Sequence, residues 1–200
     1  RRWTVIASAS VTTLALVAFS AAVFGLDAWR GYLSEVIPYQ QMVMRHLEGT
    51  FLWMLPSLYG ALRLWGISAD SALSAHLVIA VPVFLISIAS FWLVADAMWR
   101  SIMLLLGTFL ITPYALTYDL GMVSAAAGMM MILATRNGWN SVPGTLLLAA
   151  TIALPMVMMP MGAFGLVPAP IILLAVFGVA AARSGLLTRP RQAMNGRLGS

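Results

Sequence analysis

The sequence contains no cysteine and no lysine, and charged residues make up only 8% of its 200 positions. Without cysteine there is no disulfide framework, thiol nucleophile or thiolate metal site. A soluble domain carries about 25% charged residues to keep its surface solvated, so an ordinary water-soluble globule is excluded. A disordered chain is excluded as well, because such chains are poor in Leu, Ile, Val and Phe whereas 62% of this one is hydrophobic. There is no Walker-type phosphate loop, no G-x-G-x-x-G, no H-E-x-x-H and no internal repeat. Long apolar runs remain, the mark of an integral membrane protein, and at about 20 residues per span the length accommodates roughly five or six helices. Eleven Arg against four Asp and two Glu give a net charge of +5. A nucleic-acid binder gathers its basic residues on one polar face, but here they stand singly between apolar runs, so no nucleic-acid partner is expected.

The runs predict an all-α polytopic bundle with spans at about 4–25, 71–96, 100–118, 120–136, 142–160 and 168–183, forming one transmembrane domain over 1–183. Residues 27–70 are too polar for a single span, and 184–200 reads as a cytoplasmic tail that meets anionic lipid. Arg1-Arg2 before the first run imitates a secretory signal, but the run exceeds a signal h-region and no clear A-x-A follows it. It is therefore taken as a retained span. Placing the N-terminus inside puts eight Arg with Asp96 on one side, and Arg30, Arg45 and Arg63 with five acids on the other. That split follows the positive-inside rule at every turn, predicting a plasma (bacterial inner) membrane protein with both ends cytoplasmic. In the outward segment, Tyr32, Val36, Tyr39, Met42 and Val43 recur at helical spacing among polar residues, as in an interfacial amphipathic helix that Pro38 starts or interrupts. The piece 54–65 is too short to span and reads as interfacial or re-entrant.

Few residues carry chemistry. Asp119, with Tyr114 and Tyr118 beside it, falls at the tip between the third and fourth predicted spans, just after Pro113. An ionisable group near the outer interface is a functional-site candidate, while capping of the fourth helix and an aromatic belt are the bland alternatives. Arg30, Arg45 and Arg63 are the outward cations, suited by their planar forks to phosphate, although pairing with Asp27, Glu35, Glu48 and lipid headgroups is the commoner fate of any one such Arg. His46 is a candidate phosphate donor or a solvated helix-face residue, and Asp27 a general base or a partner of Arg30. His76 either lines a cavity or makes one buried hydrogen bond. Gly121, Ser124, Ala125 and Gly128 form a small-residue face that predicts close helix packing. Met129, Met130, Met131 and the Met residues of 156–161 read as packing or lipid-facing surface, since no His or Cys accompanies them as copper ligands would require. No metal or cofactor is indicated.

The order Asp27-x-Trp29-Arg30-Gly31-Tyr32, then Met54-Leu55-Pro56-Ser57-Leu58-Tyr59-Gly60-Ala61-Leu62-Arg63-Leu64-Trp65-Gly66, then a long span, then Thr112-Pro113-Tyr114-Ala115-Leu116-Thr117-Tyr118-Asp119-Leu120 resembles the C-terminal part of glycosyltransferase family 87, formerly domain of unknown function 2029. The likeness covers about 20–135, and Pro-Tyr-Ala-x-x-Tyr-Asp-Leu is its most specific element. The resemblance implies a GT-C fold and transfer of a hexose, mannose-like, from a polyprenyl-phosphate-linked donor to a lipid or glycan acceptor at the extracytoplasmic face, with inversion. It implies substrate contacts from Arg30, Arg45, His46, Arg63, Tyr114, Tyr118 and Asp119. The family's catalytic Asp lies in a first extracytoplasmic loop with no counterpart here. The general base is thus expected upstream of Arg1, in a longer chain, and this stretch alone is expected to be inactive. A transporter built on a Pro-broken third span, or a noncatalytic membrane subunit, are the alternatives. Because the chain lacks cysteine, topology is directly testable: cysteines placed at Gln41 and Ser184 should react with an impermeant thiol reagent from outside at Gln41 only. The opposite labelling pattern inverts the orientation.

Overall fold

The computed structural model describes residues 3–139 and 141–186, and these are entirely helix and loop. Arg1, Arg2, Arg189, Arg191, Arg197 and most of the predicted tail lie outside the described residues. The chain divides between Leu47 and Glu48 into two compact units.

The first unit opens with α1 (Trp3–Phe24), a helix whose described side chains are apolar or small on every face and that buries none of its span. A helix apolar all round belongs in a bilayer or a large core. Gly25, at φ 82, ends it in a conformation that side chains with a Cβ avoid. Then follow α2 (Leu26–Gly31), one π-helical turn (Tyr32–Val36) and α3 (Ile37–Arg45) as a continuous helical path. Pro38 offers no N–H to the carbonyl four residues back, and the helix widens to π spacing in the turn just before it. The predicted amphipathic helix is thus present. Within this unit Tyr32, Val36, Tyr39, Met42 and Val43 are all exposed.

The second unit holds two short helices, α4 (Thr50–Trp53) and α5 (Leu58–Leu64), then α6 (Ala69–Leu93), α7 (Ala97–Ile111), α8 (Leu120–Asn137, entered through the 3-10 turn Thr117–Asp119), α9 (Val142–Ala163) and α10 (Ala169–Arg183). Successive long helices pack against each other in antiparallel order and α10 returns to α7, which makes α7 the centre. Its Trp99, Ile102, Met103, Leu106 and Phe109 are buried against Leu120, Val123 and Met130 of α8 and Leu173, Val176 and Phe177 of α10 in one core.

Among the described residues four helical stretches, Ile6–Phe24, Ala69–Leu93, Thr117–Asn137 and Val142–Ala163, are long and apolar enough to cross a membrane. The other two expected spans, α7 and α10, are apolar but only 15 residues each. The third run was expected to extend to 118. It stops at Ile111 because Thr112, at φ −83 and ψ 110, takes the extended conformation imposed on a residue preceding proline. Pro113 therefore lies beyond the end of the helix instead of breaking it midway.

The small-residue face of α8 needs correction. Gly121 and Ala125 are exposed and Ser124 and Gly128 only half-buried, while Leu120, Val123, Ala126, Ala127, Met130 and Leu133 point inward. Small residues permit a close helix approach without requiring it, and here the interior is taken by the neighbouring face, Ala126 and Ala127 included. Met130 and Met158 are fully buried and Met156 is 84% exposed, which matches both halves of the packing and surface reading of the methionines.

α6 and α7 approach tightly at Gly107, where an added Cβ would fall on Ser87 Oγ with Phe177 just beyond. Gly107→Ala should destabilise the protein by about 1–3 kcal/mol through overpacking. Combining it with Ser87→Ala should recover much of that loss, since the hydroxyl removed is both the obstacle and, among the described residues, without a hydrogen-bond partner. Additive losses in a detergent thermal-unfolding cycle would rule out this contact as the cause.

Candidate functional site

At one end of the second unit three chain reversals meet: 54–57 before α5, 112–116 between α7 and the 3-10 turn, and 164–168 between α9 and α10. The first two are the stretches that carry the family resemblance, and hydrogen bonds join them. Ser57 caps α5, its Oγ accepting from Gly60 N at 3.0 Å, and the same hydroxyl donates to Pro113 O at 2.5 Å. Thr117 donates twice to Met54 O, from its backbone N and from Oγ1, each at 2.9 Å. Carbonyls at helix ends need external partners in an apolar setting, and each loop supplies the other's. The fully buried Tyr59 meets Tyr114 edge to face, with ring centroids 5.0 Å apart. Gly60 permits this turn to close, since a Cβ there would fall on Leu55 O and Cβ. The third reversal joins through Trp65, whose Nε1 donates to Gly165 O at 3.0 Å, and through Trp53, packed where Gly162 has no side chain. The segment 54–65, expected to be interfacial or re-entrant, is thus folded into the end of the bundle.

Asp119 does cap locally, in a particular way. The 3-10 turn leads directly into α8, so Asp119 is the third residue of the combined helix. Its Oδ2 accepts from Leu116 N at 3.0 Å while its own N–H donates to Leu116 O at 2.9 Å, the carboxylate half of a capping box. Asp119 is half-buried, and Tyr118 beside it is 71% exposed. Arg63, in the last turn of α5, donates from Nη1 to Ile67 O at 3.1 Å and is half-buried. Tyr114, Tyr118, Asp119 and Arg63 therefore all belong to this end of the bundle. Arg30, Arg45 and His46 belong to the first unit. There Arg30 pairs with Asp27 at 2.9 Å, both side chains largely exposed, and His46 Nδ1 donates to Met42 O at 2.8 Å.

His76, on α6, realises both alternatives open for it. It is 2% exposed, its Nε2 donates to Ile111 O at 3.1 Å, and it borders a small recess with Pro56, Ser57, Phe109, Leu110 and Pro170. The bond satisfies the last carbonyl of α7, and with Nε2 as donor the neutral ring presents Nδ1 as an acceptor without a partner among the described residues.

Ser57, Thr117 and Tyr59 are the residues whose importance sequence reasoning missed. For Ser57 a signal existed, a Ser three residues ahead of Gly60 at the start of a short helix, but its second bond, across 56 residues, has no local signature. No protein-family model matches the chain, and comparisons with curated proteins and with solved structures return no match either.

Removing the Ser57 hydroxyl leaves a helix N-terminus uncapped and a carbonyl without its partner. Ser57→Ala should therefore cost about 2 kcal/mol, seen as a thermal midpoint lower by roughly 4–8 °C. Thr117→Val keeps the backbone bond to Met54 and should cost about half as much. Equal midpoints for Ser57→Ala and the unmodified protein would show that the Ser57 hydroxyl does not hold the two loops together.

Proposed function

We propose that this chain forms part of a membrane glycosyltransferase that moves a hexose from a polyprenyl-phosphate donor to a lipid or glycan acceptor at the extracytoplasmic face. The observation that carries the reading is the joining of 54–60 to 112–119. The two stretches that resemble glycosyltransferase family 87 are joined, across 56 to 63 residues of sequence, by part-buried hydrogen bonds and share a ring contact in space. A site assembled at one end of a bundle, with Tyr118 exposed and a carboxylate beside it, suits a substrate whose lipid portion stays in the bilayer while its sugar reaches the rim.

In this reading the end carrying Arg63, Asp70 and Asp119 faces outward and the end carrying Asp96, Arg100, Arg136 and Arg183 faces the cytoplasm, as the positive-inside rule requires. Tyr118 and Tyr114 offer hydroxyls to the acceptor or sugar, and Arg63 offers its guanidinium to the departing lipid phosphate. Asp119 holds the turn through Oδ2 and offers Oδ1 to a hydroxyl of the substrate. Arg30, Arg45 and His46 of the first unit are further phosphate or headgroup contacts. The general base comes from outside these residues.

Asp119→Asn tests the reading with little structural disturbance, because an amide oxygen still accepts from Leu116 N. In the full-length protein the substitution should lower sugar transfer from a polyprenyl-phosphate donor at least tenfold while membrane expression and thermal midpoint stay near their original values. Transfer that is unchanged leaves Asp119 only its role in the turn. No transfer from any polyprenyl-phosphate donor by the unmodified protein would overturn the function itself.

A further inference from the structure

The opposite end of the second unit carries a cluster unconnected with the candidate site. Trp99, in the first turn of α7, stacks on Trp139, just beyond α8, with centroids 6.2 Å apart and planes inclined by 25°. Arg183, the last residue of α10, lies over the Trp139 ring with Cζ 4.8 Å from the centroid. Gly138, left-handed at φ 65, ends α8 and turns the chain so that Trp139 N donates back to Ala134 O at 3.2 Å. The indole is thereby fixed as a platform on which the termini of three helices converge. Arg100 follows Trp99 directly, and Arg136 sits in the last turn of α8.

Among the described residues of the second unit, the positive charge at this end is left uncompensated. Asp96 is the one carboxylate there, and Oδ1 accepts from Met98 N at 2.7 Å and Trp99 N at 3.1 Å, capping α7. Asp96 forms no ion pair among the described residues, and no acidic residue follows Asp119 anywhere in the sequence. Arg100 donates to Val94 O at 3.3 Å, which orients its guanidinium without neutralising it. Arg183 is not needed to satisfy the end of its own helix. Ser184 does that, donating from N to Ala180 O and from Oγ to Ala181 O, both at 2.9 Å. A guanidinium held over an indole through Cζ spends its face on the ring and not its N–H donors, and those donors match a phosphate oxygen pair. Arg183 and Arg136 are exposed and Arg100 half-exposed.

We infer that Arg183, held over Trp139, with Arg100 and Arg136 at the same end of the bundle, forms a binding site for the phosphate headgroup of an acidic phospholipid in the leaflet at this end. Lipid is favoured over a soluble anion because the platform is aromatic. Indoles settle at the headgroup level of a bilayer, which places the three cations at the depth of lipid phosphates, with apolar helix flanks below for the acyl chains. The inference needs the bundle to lie in a membrane but is independent of sugar transfer.

Native mass spectrometry of the detergent-purified chain, titrated with phosphatidylglycerol or phosphatidylcholine, tests it. The acidic lipid should bind at least tenfold more tightly than the zwitterionic one. Arg183→Gln and Trp139→Ala should each remove most of that preference, whereas Trp139→Phe, which keeps a ring under the guanidinium, should retain it. Arg183 is exposed at a helix end, so Arg183→Gln should leave the thermal midpoint unchanged and serves as the reference should Trp139→Ala impair folding. Equal affinity for the two lipids, or an undiminished preference in Arg183→Gln, would overturn the site. Displacement of phosphatidylglycerol by inorganic phosphate at comparable concentration would show a site for a soluble anion and would equally overturn the lipid assignment.

Discussion

The candidate site depends on the requirement that main-chain carbonyls released at helix ends find donors where water is scarce. Pro113 ends α7 and Pro56 precedes α5, so the reversals at this end expose Met54 O and Pro113 O. An isolated buried carbonyl costs free energy comparable to a lost hydrogen bond. The chain resolves this by crossing donors: Ser57 serves the second loop and Thr117 the first. Once those bonds form, Tyr59 and Tyr114 are brought edge to face. The register of Tyr118 and Asp119 then follows, because the 3-10 turn begins at Thr117. His76 applies the same principle one level deeper, serving Ile111 O from the neighbouring helix.

Much of the architecture was legible in the sequence, for an identifiable reason. Helices bounded by lipid must be apolar over their length, so Asp96, Arg100, Arg136 and Arg183 mark ends directly, and the structure gathers all four at one end of the second unit. The limits of α7 were harder to place. A charge-free run does not reveal where a helix stops, and the decisive event was the conformation Pro113 imposes on Thr112. The packing face of α8 was misjudged because small residues permit close approach without requiring it, and Val123, Met130 and Leu133 on the adjacent face filled the interior instead.

For the site, the sequence revealed which stretches carry polar residues and left their partners hidden. Asp119 looked equally like a substrate ligand and a cap, and its bond to Leu116 shows the second role in full without using both oxygens. Ser57 and Thr117 passed unnoticed because their partners are backbone atoms more than fifty residues away. The stacking of Trp99 with Trp139 beneath Arg183 was equally hidden: it joins three helices whose ends have no local sequence relation.

The shortness of α7 and α10 bears on the surrounding bilayer. Fifteen residues rise about 22 Å, against a hydrocarbon thickness of about 30 Å. Helices of that length do not cover the hydrocarbon by themselves, whereas α6, at 25 residues, and α9, at 22, are long enough to do so. Where a helix of 15 residues faces lipid, the mismatch is met by local thinning of the bilayer or by tilting of its longer neighbours.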